Sequence, residues 1–155
     1  MLEWLIVADD RTGALEVAGE VAPWLGPVRV TVGLPSPDVD AAVVDIGARH
    51  VTPAAAAERA VAATATPARH AAHKIDSLLR GNWAHELVAV QRAFGGRVLL
   101  VPALPRMGRV CRGGVVHVAG VPLGGPDARR ASSSPRPAEH LAAAGAADVA
   151  ELATA

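Results

Sequence analysis

Lysine is almost missing from this chain: of 15 basic residues only Lys74 is lysine, and the rest are arginine. Tyrosine is absent and aromatics make up 3% of the residues, so any core must be built from Val, Leu, Ile and alanine. The 34 alanines let secondary-structure elements pack closely, although with the arginine excess they also read as a coding bias. A single cysteine, Cys111, excludes an internal disulfide and a multi-cysteine zinc site, and it suits a reducing cytoplasm. The formal net charge is zero and the pI about 7.0, which leaves no electrostatic footprint for nucleic acid or an anionic membrane. No apolar run reaches the roughly 18 residues of a membrane span. The start, MLEWLIVADD, has neither the basic region nor the cleavage pattern of a signal peptide. His70 and His73 lie three apart, but their segment reads as a strand, so no metal site is expected there. The phosphate-binding pattern GxxxxGK[ST] is also absent.

What is present is an alternation of apolar runs and helical patterns. Leu2 to Ala8 reads as a strand that ends in Asp9 and Asp10, followed by a tight turn and a helix from Ala14 to Trp24. Val28 to Val32 and Ala41 to Ile46 are short enough to be buried parallel strands. Thr52 as N-cap and Pro53 as first residue open a helix that runs to Ala65. His70 to Ile75 is expected as the next strand, a helix follows from about Asn82 to Phe94, and Arg97 to Val101 reads as the clearest buried strand of all. VVHVAGVPL then suggests a hairpin turning at its Ala-Gly pair. These connections predict an α/β fold, an open and mostly parallel sheet with helices on both faces in three Rossmann-like layers. Residues 1–123 form the expected core. Residues 124–155 are expected as a Gly/Pro/Ser/Arg-rich loop and a loosely held alanine-rich helical tail.

Three polar clusters fall just after strands: ADDRTG, DSLLRGN and PALPRMGR. In open α/β sheets ligands bind outside the carboxyl ends of the strands, so the three should converge. Within the first, a carboxylate can accept hydrogen bonds from substrate hydroxyls or act as a base; Asp10 or Thr12 serving only as a helix N-cap is the alternative. Within the second, Lys74, Arg80 and the free N–H groups of the following helix form an anion cradle. Lysine is a compact charge suited to a small pocket, whereas the fork of Arg80 suits a carboxylate. An Asp76–Arg80 pair that merely shapes the loop is the competing reading. Arg109, behind a proline-constrained loop, is a second candidate for an anion.

In that order, ADDRTGAL, KIDSLLRGN and VPALPRMGRVCRGGVVHVAGVPL resemble the N-terminal sugar-binding domain of the four-carbon acid sugar kinase family. The matching positions are Asp9, Asp10, Thr12, Gly13 and Ala14, then Asp76, Ser77, Leu79, Arg80, Gly81 and Asn82, then Pro102, Ala103, Pro105, Gly108 and Arg109. Arg11 stands where an apolar residue is usual, and Leu78 where threonine is usual. The resemblance implies an ATP-dependent kinase acting on threonate, erythronate or 3-oxo-tetronate type acids, with its active site between two domains. ATP and Mg²⁺ would be bound mainly by a C-terminal nucleotide-binding domain that this chain lacks, so no metal ligand is expected here. It further implies that Asp10, Arg80 and Arg109 hold the acid, that Asp9, Thr12, Ser77, Gly81 and Asn82 complete the substrate-binding set, and that Lys74 or Asp76 assists transfer. The expected partners are a sugar acid and either a separate nucleotide-binding chain or further copies of this one, with no nucleic acid and no membrane. The alternatives are a non-catalytic module that senses a small hydroxy acid, and a truncated relic exposing the apolar surface that once met another domain.

Overall fold

A computed structural model describes residues 1–36, 38–124 and 134–152. Successive residues of a strand point to opposite faces, and β1 (Leu2–Ala8) uses both. On one face Leu5 and Val7 join Ala42 and Val44 of β3 (Ala41–Asp45) and pack on Ala56, Ala60 and Ala63 of α2 (Pro53–Thr64). On the other, Ile6 and Ala8 join Val43 and pack on Ala14 and Ala18 of α1 (Arg11–Leu25). Alanine on both helices lets the backbones approach the sheet closely, which explains how a chain so poor in aromatics closes a core. The three expected layers are present.

With β2 (Val28–Val32) and β4 (Ala68–Lys74), the sheet has the order β2-β3-β1-β4, and every pairing is parallel. The chain winds outward from β1 through α1, then returns past β1 through α2. Right-handed crossovers in opposite directions place the two helices on opposite faces. The winding therefore reverses at β1, and the crevice outside its carboxyl end is where such sheets bind ligands.

Helix α2 starts as expected, with Thr52 Oγ1 accepting from Ala55 N at 3.3 Å and Pro53 at the first position. Helix α3 (Trp83–Phe94) follows β4 and buries Trp83, Ala84 and Leu87 against a second, antiparallel sheet of β5 (Arg109–Arg112), β6 (Val115–Val118) and β7 (Val121–Pro122). The expected turn at Ala119–Gly120 is there, with φ of 50° and 84°. Gly113–Gly114 makes a matching two-residue turn between β5 and β6, and positive φ at both positions suits the twist of a hairpin. The tail forms α4 (Pro137–Ala143), whose Leu141 packs into the same cluster. Most of the expected loop, residues 125–133, lies outside the described residues.

One expected strand is not formed. Arg97 to Leu100 have no strand structure, and Val98, Leu99 and Val101 are 47%, 78% and 68% exposed. A buried strand needs a hydrogen-bonded neighbour and covered faces. Among the described residues the outer edge of β4 pairs with no strand, and only Leu100 of this segment packs into the α3 cluster.

Candidate functional site

Three loops meet at the carboxyl end of the parallel sheet. Asp9 follows β1 and is buried, and its carbonyl accepts from Ala48 N and Arg49 N at 2.8 and 3.2 Å, which straps the loop after β3 to the end of β1. This brings Arg49 into the centre. Its Nε donates to Asp9 Oδ2 at 2.7 Å and its Nη2 to Asp9 Oδ1 at 2.9 Å, while Nη1 lies 2.5 Å from Asp10 Oδ2 and Nη2 3.5 Å from Asp76 Oδ1. Only a planar guanidinium can fork one carboxylate while reaching two more, a geometry closed to lysine. Burial pushes the Asp9 carboxyl above its ordinary range and Arg49 offsets this only in part. Burial pulls the other way on Arg49 itself, but the contacts with Asp9, Asp76 and Asp10 together outweigh it and keep the guanidinium charged.

Two neighbours fix the Arg49 loop. Asn82 Nδ2 donates to Ala48 O at 2.8 Å and to Val51 O at 2.9 Å, clamping the loop on both sides of Arg49. Gly81 has φ of 85°, and a Cβ there would lie 3.3 Å from both Arg49 Cγ and Asp9 Oδ2. Glycine is required both by the backbone conformation and by this close approach.

The loop after β4 is organised by Asp76. It accepts from Leu78 N, Arg80 N, Arg80 Nε and Arg80 Nη2 at 3.1, 3.2, 2.8 and 2.7 Å. Burial alone would raise the Asp76 carboxyl, but the bonds from Arg80 and the charge of Arg49 outweigh it and leave it below the ordinary range. The pair that shapes the loop is therefore real, and it turns the guanidinium of Arg80 into the same cluster. Leu79 takes φ of 57° with its side chain buried in the α3 core, an uncommon conformation for leucine held by the packing around it. Next to this loop, Arg109 Nη1 donates to Ser77 Oγ, and Arg109 Nε is buried with no hydrogen-bond partner among the described residues.

The structure thus brings together Asp9, Asp10, Asp76, Arg80, Gly81 and Asn82, with Ser77 and Arg109 alongside. Lys74 reaches the α1 side of the sheet end: its Nζ donates to Ile75 O at 3.0 Å and lies 3.5 Å from Glu16, at the edge of a second cavity of about 380 Å³, and a Cβ on Gly13 would lie 3.9 Å from that Nζ and 2.9 Å from Asp10 Oδ1. Thr12 is exposed on α1, and Asp10 caps that helix instead, its Oδ1 accepting from Gly13 N at 2.7 Å. Arg49 was not singled out from the sequence. The available signal was its position just after a strand, in DIGARH, where the rule that located the other clusters applies equally.

Beside the Arg49 cluster lies a cavity of about 220 Å³ lined by Asp9, Asp10, Arg11, Asp45, Gly47 and Arg49. Among the described residues no group of three His, Cys, Asp or Glu side chains is placed to hold a metal ion, and the converging carboxylates are committed to arginines. Among the described residues no helix is long and apolar enough to cross a membrane.

Comparisons with known proteins agree with this architecture. The chain is 35% identical over 130 residues to the D-threonate kinase of Cupriavidus necator, which covers 79% of this chain and 31% of that protein. It is 33% identical over 132 residues to the D-threonate kinase of Bordetella bronchiseptica, covering 76% and 33%. It thus spans about a third of the length of these curated relatives. A DUF1537 domain from Bordetella bronchiseptica, crystallised with bound citrate as a domain-swapped dimer, superposes with a TM-score of 0.78 at 25% identity, over 91% of this chain and 40% of that one. The family described as the sugar-binding N-terminal domain matches residues 4–153, and the chain belongs to that family.

Proposed function

We propose that this chain is the substrate-binding half of an ATP-dependent kinase that phosphorylates a four-carbon sugar acid of the threonate, erythronate or 3-oxo-tetronate type. The observation that carries the reading is the joining of Asp9, Asp10 and Asp76 through Arg49 and Arg80 at the carboxyl end of the parallel sheet. Such a cluster offers carboxylate oxygens to sugar hydroxyls and guanidinium groups to anions. Similarity to the N-terminal third of two D-threonate kinases points to the same substrate class.

In this reading Asp10 accepts hydrogen bonds from substrate hydroxyls, and Arg80 and Arg109 face the two anionic groups of the reaction, the carboxylate of the acid and the transferred phosphoryl. Catalysis of phosphoryl transfer rests on position and charge neutralisation. Lys74 or Asp76 assists that step. ATP and Mg²⁺ supply the phosphoryl group from the region of the relatives that this chain does not span, carried by a partner chain or a longer product. The citrate and the swapped dimer of the Bordetella structure support a small-acid ligand and self-association. A cytoplasmic setting suits the single thiol of Cys111.

Calorimetric titration tests the reading. The purified chain is expected to bind D-threonate and to show no heat with ATP and Mg²⁺ alone. Binding of ATP without acid, or of neither, would overturn the division of labour.

A further inference from the structure

Most cations near the site are already spoken for. Arg49 spends its whole fork on three carboxylates, and Arg80 places two nitrogens on Asp76. Arg11 is different. It lines the 220 Å³ cavity, its side chain is 72% exposed, and its nearest partner, Asp45 Oδ2, is 3.6 Å from Nε, beyond hydrogen-bond range. It is the first residue of α1, where the helix dipole disfavours a cation, and no acidic residue in that first turn compensates. Helix stability therefore does not account for an arginine here.

Asp45 mirrors this availability. Its Oδ1 accepts from Gly47 N at 2.9 Å, which pins the carboxylate, while among the described residues Oδ2 has only the long contact with Arg11. The residue as a whole is 5% exposed, and it lines the cavity. The cavity thus presents, side by side, a guanidinium fork without a hydrogen-bonded partner and a fixed carboxylate oxygen able to accept one hydrogen bond. An α-hydroxy acid carries the complementary pair on adjacent carbons: a carboxylate for the fork and a hydroxyl for the acceptor. The cavity is smaller than the roughly 300 Å³ at which drug-sized pockets begin, which suits a ligand of a few carbons.

We infer that Arg11 and Asp45 are the specificity-determining pair of the site, Arg11 binding the substrate carboxylate and Asp45 the hydroxyl next to it. The inference rests on the reading of the chain as an acid-binding domain and changes one role in it: the carboxylate of the acid moves from the Arg80 and Arg109 pair to Arg11, and both of those arginines are left for the phosphoryl side.

The test titrates D-threonate and 3,4-dihydroxybutanoate, which lacks the hydroxyl beside the carboxylate, into the wild-type chain and into Arg11→Leu, Arg11→Lys and Asp45→Asn. With Oδ1 pinned by Gly47 N–H, the asparagine turns its NH₂ into the cavity and offers a donor where the hydroxyl needs an acceptor. The wild type is expected to prefer threonate. Arg11→Leu is expected to weaken both acids by about 10- to 100-fold, the range for a lost hydrogen bond to a charged group, with Arg11→Lys between them. Asp45→Asn should abolish the preference for threonate. Arg11 is exposed, so an unchanged melting temperature in the Arg11 variants is part of the expected result. If threonate binds the wild type and Arg11→Leu equally, or Asp45→Asn keeps the preference, the pair is not the reader and the proposed function stands without it. If the wild type binds neither acid, the proposed function itself falls.

Discussion

The strand β3 and the segment Arg97–Val101 are both short, Val-rich or Leu-rich runs, yet all five residues of β3 are buried while Val98, Leu99 and Val101 are 47%, 78% and 68% exposed. Apolar content does not separate them. Strand β3 has β2 on one side, β1 on the other and helices over both faces, whereas no ladder holds residues 97–101. An apolar run gives a segment the capacity to be buried; its neighbours decide whether it is. The same contrast divides the site. Asp9, Asp10, Arg49, Asp76 and Arg80 hang from loops that the closed sheet fixes, and Arg109 reaches Ser77 from the far side of the exposed segment.

Opening the closed half should have the largest effect. Arg49→Ala leaves Asp9 buried without its partner, and removing one member of a buried pair costs about 3 kcal/mol or more. Urea unfolding is expected to show that loss; a change under 1 kcal/mol would mean the cluster contributes little to the fold. Gly81→Ala comes next. A left-handed backbone costs a non-glycine residue about 1–2 kcal/mol, and the added Cβ meets Arg49 and Asp9. The same unfolding experiment reads it, and Gly26→Ala, where a Cβ would meet nothing within 4 Å at a similar φ, isolates the backbone part.

Acid sharpens the comparison within the cluster. Asp76 has a folded pKa below its unfolded value, so its stabilisation is present above that value and is lost as pH falls through the folded one. Asp9 has a folded pKa above its unfolded value, so its contribution is full below the unfolded pKa and falls away as pH rises through the folded one. The wild type is expected to lose stability below about pH 4 on account of Asp76, and Asp76→Asn to lose less over the same interval. An equal loss in both would mean that the Arg80 bonds do not hold the Asp76 carboxylate in the folded chain.

Much of the closed half was legible because its signals are local. Strand β1 and helix α2 announce themselves through apolar period and through Thr52 and Pro53, and the hairpin at Ala119–Gly120 through its turn residues. Asp76 and Arg80 share a short motif, so their pairing was foreseeable. Arg49 was harder, because the contact that defines it spans 40 residues and its own surroundings, GARHV, carry no pattern. Lys74 drew attention by its rarity, and the structure gives it Glu16 and a carbonyl on the α1 side. Residues 97–101 were misread because their sequence holds no information on whether a partner strand is present.

The smallest effect on folding should come from the exposed segment itself. Leu99→Lys and Val101→Lys remove apolar side chains that make few contacts in the folded chain, so stability should move by no more than about 0.5 kcal/mol. Association should move much more. Exposed apolar side chains are a ready surface for self-association, and added charge opposes it. Light scattering of the wild type at rising concentration is expected to show oligomers that the double variant lacks, while the two unfold at the same urea concentration. Equal association would place the contact elsewhere on the molecule. A matching loss of stability would show that residues 97–101 are already paired in solution, and the difference between the two halves would then be one of degree.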